Sequence, residues 1–86
     1  MYNVPMETWG TVIVTDNALR KMAQYGLHRD GVMDAFNKPD REEWSPIPNC
    51  KSYIRNYKDY EIGVIARQKE NGIWIIVSCW YRNLYK

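Results

Sequence analysis

Three arginines, Arg55, Arg67 and Arg82, stand in the last third of this 86-residue chain among Lys51, Tyr53, Trp74, Trp80 and Tyr81. Cationic side chains neutralise phosphates, and rings stack on unpaired bases. Cleaving RNA without a metal asks for little more. A base must take the 2′-OH proton, cations must hold the phosphate as charge develops, and an acid must protonate the leaving oxygen. Arg55, Arg67 and Arg82 could hold the phosphate. Lys51, Tyr53, Tyr81 or the single histidine, His28, could move protons. Trp80 and Trp74 could offer stacking surfaces. The same residues also suit a module that binds RNA, or an acidic protein, without reacting.

Other chemistries have weaker support. One His and two Cys, 29 positions apart, do not make a structural zinc site, so no metal or cofactor is expected. Cys79 alternates with apolar neighbours and reads as a buried small hydrophobe. Cys50, beside a proline-rich stretch, is expected at the surface. Glu42 and Glu43, next to Arg41, read as a solvated charge run rather than as a glycosidase pair. The five glycines are scattered and form no phosphate loop.

Charge sharpens the first reading. The formal total of +2 hides an asymmetry. Residues 1–45 carry five basic and seven acidic side chains, or −2, whereas residues 46–86 carry seven basic and three acidic, or +4. Tyr and Trp number eleven against one Phe, and these are the aromatics suited to half-wet surfaces.

The elements that must position these residues are short. Thr8 to Val14, with four β-branched residues in succession, reads as a strand. Thr15-Asp16 reads as an N-cap before a helix with Leu19, Met22 and Ala23 on one face, and Gly26 ends it. A second helix is expected over Arg29 to Asn37, stopped by Pro39. Residues 38–49 hold three prolines and read as a loop. Three antiparallel strands follow, joined at Lys58-Asp59 and at Asn71-Gly72. The expected fold is α+β: a short N-terminal strand, two helices and a three-stranded antiparallel meander, with the helices on one face of the sheet.

Strand alternation then assigns the faces. Ile54, Ile62, Val64, Ala66, Ile75, Val77 and Cys79 should lie beneath the helices. Lys51, Tyr53, Arg55, Arg67, Trp74, Trp80 and Arg82 should lie on the face left open. The size suits a single domain over residues 1–86, with 1–8 as a flexible tail. The longest apolar run, Ile73 to Val77, is far short of the ~20 residues of a membrane span. No basic-then-apolar leader opens the chain, and the Cys content fits a reducing compartment, so a cytoplasmic location is expected.

The segment from Thr15 to Asp40 resembles the opening of small toxin-like domains of the RelE/BrnT-type superfamily, through Ala18, Met22, Gly26, Leu27, Val32 and Pro39. Trp80 and Arg82 match the family's closing strand, and the likeness spans about residues 12–82. The resemblance implies a barnase/EndoU/colicin/RelE-like architecture. It also implies metal-independent endoribonuclease activity, as the toxin of a bacterial toxin–antitoxin pair, with RNA and a cognate antitoxin as partners. Asn17 stands where the family has His, Lys21 where it has Arg before Met22, and Tyr25 where it has Arg before the glycine. An amide does not titrate near neutral pH, so Asn17 would touch RNA or cap the helix rather than act as a base. That departure favours the alternative, a non-catalytic module using the same basic and aromatic face. A homo-oligomer with that face as its interface is a further alternative.

Overall fold

The computed structural model describes residues 6–84. It is an α+β fold with two helices and a six-stranded mixed sheet. The elements are β1 (Met6–Trp9), β2 (Val12–Thr15), α1 (Asp16–Tyr25), α2 (Arg29–Asn37), β3 (Arg41–Trp44), β4 (Lys51–Asn56), β5 (Tyr60–Gln68) and β6 (Trp74–Asn83). The strand order is β1-β2-β6-β5-β4-β3. All neighbours are antiparallel except β2 and β6, which run parallel.

This corrects the three-stranded meander. The single N-terminal strand is instead a hairpin turning at Gly10, which holds φ at 64°. Met6–Thr8 therefore belongs to β1 rather than to a tail, while residues 1–5 lie outside the described residues. The stretch read as a loop contains β3, paired with β4 from Arg41↔Ile54 to Trp44↔Lys51. Its sequence, Arg-Glu-Glu-Trp, has neither β-branched residues nor apolar alternation. Pairing to a strong neighbour makes it a strand, so propensity was silent there.

The helices follow their caps. Thr15 Oγ1 accepts a hydrogen bond from the Ala18 N–H at 3.2 Å, and Gly26 takes the left-handed conformation at φ 69°. The core lies between both helices and one sheet face. Ala18, Val32 and Ala35 pack with Val14, Ile62, Val64, Ala66 and Ile76.

Register decides which other residues share that face, because directly paired residues in an antiparallel ladder point the same way. Lys51, Tyr53 and Arg55 pair with Ala66, Val64 and Ile62, so they belong to the helix side. Arg82 pairs with Glu61, on the opposite side. Arg55 and Arg82 thus lie on opposite faces, and the single basic and aromatic face dissolves.

A bulge in β6 is one cause. Ile65 pairs with Ser78 and Ala66 with Ile76, so Val77 is an extra residue. Trp74 and Ile76 therefore point inward together with Cys79 and Tyr81, and Ile75 points outward with Ile54. The Val77 carbonyl accepts from Thr15 Oγ1 at 2.8 Å and from Asn17 Nδ2 at 3.2 Å. Asn17 is thereby committed to fastening α1 to the bulge.

Candidate nucleic-acid interface

Four of the expected site residues, Lys51, Tyr53, Arg67 and Trp74, meet in a groove of about 200 Å³ at one end of the helix-side face, together with Trp44 and Gln68. Its floor is set by three rings at steep angles. Phe36, from the last turn of α2, lies 5.5 Å from Tyr53 at 79° and 5.4 Å from Trp74 at 74°. Tyr53 and Trp74 are 6.0 Å apart at 86°. Edge-to-face contacts of this kind are favourable and fix ring orientation.

The wall comes from the edge strand. Trp44 is 75% exposed, and Lys51 Nζ lies 5.1 Å from its ring centroid. The turn between β3 and β4 sets this pair opposite each other. The Ser45 N–H donates to the Cys50 carbonyl at 3.1 Å, and Asn49 takes φ 64°. Cys50 is consequently buried, not at the surface as its neighbouring prolines suggested. Arg67 borders the groove's other lip along β5, but it pairs with Ile75, so its side chain belongs to the face without helices.

The groove offers one cation, Lys51, with an exposed indole, a side-chain amide and the Tyr53 and Trp74 rings. It does not offer a base near neutrality. Burial, and secondarily the Glu42 carboxylate, push the Tyr53 phenol above its ordinary 10.0, so it stays protonated. Lys51 Nζ is 3.8 Å from Glu42, a half-exposed ion pair.

The remaining site residues lie elsewhere. Arg55 Nη1 donates to the Lys38 carbonyl at 2.9 Å, tying β4 to the end of α2. Arg82 is on the open face, where its Nη2 donates to Glu61 Oε1 at 2.5 Å. Arg41 reaches the same carboxylate from the edge strand, with Nη1 3.1 Å from Oε2. Glu61 is only 2% exposed. Burial alone would raise its pKa, but the hydrogen bonds from Arg41 and Arg82 outweigh this and hold it below the usual 4.5. Trp80 lies flat over Gly63 on that face; a Cβ there would sit 2.1 Å from the indole. His28 and Tyr81 line a separate cleft at the opposite end of the helix-side face.

Cys79 is buried as expected. Its thiol donates to the Ala18 carbonyl at 3.6 Å, and burial pushes its pKa up to about 11, so no thiolate nucleophile is available. Among the described residues no three His, Cys, Asp or Glu side chains cluster as a metal site.

Sequence reasoning missed Trp44 and the Arg41–Glu61 pair. A tryptophan inside a charged, proline-flanked stretch was the available signal, since such a ring has no core to enter. No family model, no curated protein and no solved structure matches the chain.

Proposed function

We propose that this chain is a non-catalytic module that binds single-stranded RNA in the Trp44–Trp74 groove. The observation that carries the reading is the 75% exposed Trp44 set against Lys51, beside the Tyr53 and Trp74 rings. Base–aromatic stacking contributes about 1–3 kcal/mol per base and tolerates any sequence. The groove's small volume suits one base rather than a duplex. The RelE/BrnT-type resemblance points to the same ligand class. Two buried, unbridged cysteines suit a cytoplasmic setting.

Cleavage has less support than binding. Arg55 and Arg82 occupy opposite faces, each already bonded within the protein, and His28 lines another cleft. The phosphate-holding and proton-moving groups of an endoribonuclease are therefore not gathered around one site.

The test is titration of short single-stranded RNA at low salt in chelator, followed by Trp fluorescence and by gel analysis of the RNA. Binding should weaken steeply with salt. Trp44→Ala should lower affinity by roughly tenfold, with the RNA intact throughout. Cleavage that disappears in an Arg55→Ala, Arg82→Ala variant would restore the toxin-like enzyme. Failure to bind RNA at low salt, alongside binding of an acidic protein, would transfer the groove to a protein partner.

A further inference from the structure

The second cleft has a different chemistry. It measures about 520 Å³ and is lined by Tyr25, His28, Asp30, Tyr57, Tyr60 and Tyr81, with Leu27 and Ile62 at its base. That volume lies within the ~300–1,000 Å³ of small-molecule sites. Three of the rings form a stack. Tyr57 and Tyr60 are 4.7 Å apart at 17°, and Tyr60 and Tyr81 are 5.3 Å apart at 28°. None of the four phenol hydroxyls has a hydrogen-bond partner among the described residues.

The charge around these rings is one-sided. Asp30 is the only formally charged side chain in the lining, and it forms no ion pair among the described residues. Two arginines lie outside the lining, and one of them caps the Tyr57 end of the stack. Arg29 lies over Trp9, 5.2 Å from the ring centroid. Arg55 lies 5.6 Å from the Tyr57 ring but is anchored to the Lys38 carbonyl and does not line the cleft. That leaves the Tyr81 end of the stack and one unpaired carboxylate, and a ring face beside a carboxylate attracts cations. With a single carboxylate present, a strongly hydrated primary ammonium would lose more hydration than the cleft returns. An alkylated ammonium loses less and gains ring contact.

We propose that this cleft binds a small organic cation bearing a quaternary ammonium group. The site does not depend on RNA binding at the groove.

The test uses choline as probe, and as control the neutral alcohol in which carbon replaces its nitrogen. Amide chemical shifts of the full chain report where each binds. Choline should perturb residues 25–31, 57–62 and 81, and should bind about tenfold more tightly than the neutral control. Asp30→Asn, an exposed position, should weaken choline alone. Tyr81→Leu should weaken it and Tyr81→Phe should retain it, because the ring face rather than the hydroxyl is required. Equal affinity for choline and its neutral control would overturn the proposal, as would no shift in the cleft or undiminished binding in Asp30→Asn.

Discussion

Helix α2 begins at one aromatic cluster and ends at another. At its first turn Asp30 borders the Tyr57–Tyr60–Tyr81 stack, and at its last turn Phe36 locks into Tyr53 and Trp74. Both clusters use the same three strands and the same sheet face. They differ in geometry and in charge. The tyrosine rings lie nearly parallel and border an acid, while the rings around Phe36 meet edge to face and border Lys51. The difference follows from the strand ends. Where β4 turns tightly into β5, two tyrosines three residues apart are brought face to face. Where β3 ends, an exposed tryptophan is added beside a lysine. The two proposed sites therefore differ in the charge they present, and each can be tested while the other serves as its control.

The largest effect should come from the frame itself. An Arg41→Ala, Arg82→Ala variant removes both partners of the Glu61 carboxylate. Because the arginines are themselves partly exposed, the cost should be about 3 kcal/mol, the low end for breaking a buried pair. Thermal unfolding should show that loss, and both ends should lose ligand together. The sign of the pH dependence is fixed. Glu61 is held below 4.5 in the folded wild type, so its contribution is fully present above that value and is lost as pH falls through the folded pKa. Protonating Glu61 also relieves the variant. The gap in Tm between the two proteins should therefore be widest near neutral pH and should narrow as pH falls, first through the variant's raised Glu61 pKa and then through the lowered wild-type one. A gap unchanged through the acid range would show that Glu61's charge is not the cause.

Phe36→Ala should come next, and at one end only. Phe36 is partly buried, so the cost should be about 2–3 kcal/mol, less than for a fully buried ring. Near-UV circular dichroism from Trp74 should weaken, and RNA affinity should fall. Choline affinity at the tyrosine cleft should stay within about twofold, since sites with no shared partners act independently. Equal losses at both ends would show that the two clusters are coupled through α2.

These tests bear on what the sequence made legible. Both helices were readable because their ends are chemical: Thr15 caps one, Gly26 closes it, and Pro39 follows the other. The Asn71-Gly72 turn was readable for the same reason, with Gly72 at φ 87°. The faces were not. Alternation puts Tyr53 on the open face and Ile54 beneath the helices, and the sheet reverses them: Tyr53 is partly buried against Phe36, and Ile54 is 1% exposed on the face without helices. Aliphatic character therefore could not tell the helix side from the other. In β6, period two fails at Val77, and a bulge leaves no sign in an unbroken apolar run. The groove brings together four residues whose types single them out in the sequence. Their grouping depends on register, which local pattern does not encode.

The smallest effect should come from Glu42→Gln, and it sharpens the contrast at the basic end. Glu42 sits 3.8 Å from Lys51 Nζ, with both side chains about half exposed. Such a pair contributes little to stability, within about 1 kcal/mol, so Tm should hardly move. Binding should respond differently. Removing the carboxylate releases Lys51 and takes a negative charge from beside the groove proposed to take RNA. RNA affinity should rise about two- to threefold at low salt, and the gain should vanish at high salt as the charges are screened. The Tyr53 phenol supplies an internal check. Burial raises its pKa first and Glu42 second, so the substitution should lower it partway and leave it above 10.0. Ultraviolet titration of the phenols reads that change. A shifted Tyr53 with unchanged RNA affinity would mean that the charge near the groove had been altered without touching the ligand's path, placing RNA outside the Trp44–Trp74 groove.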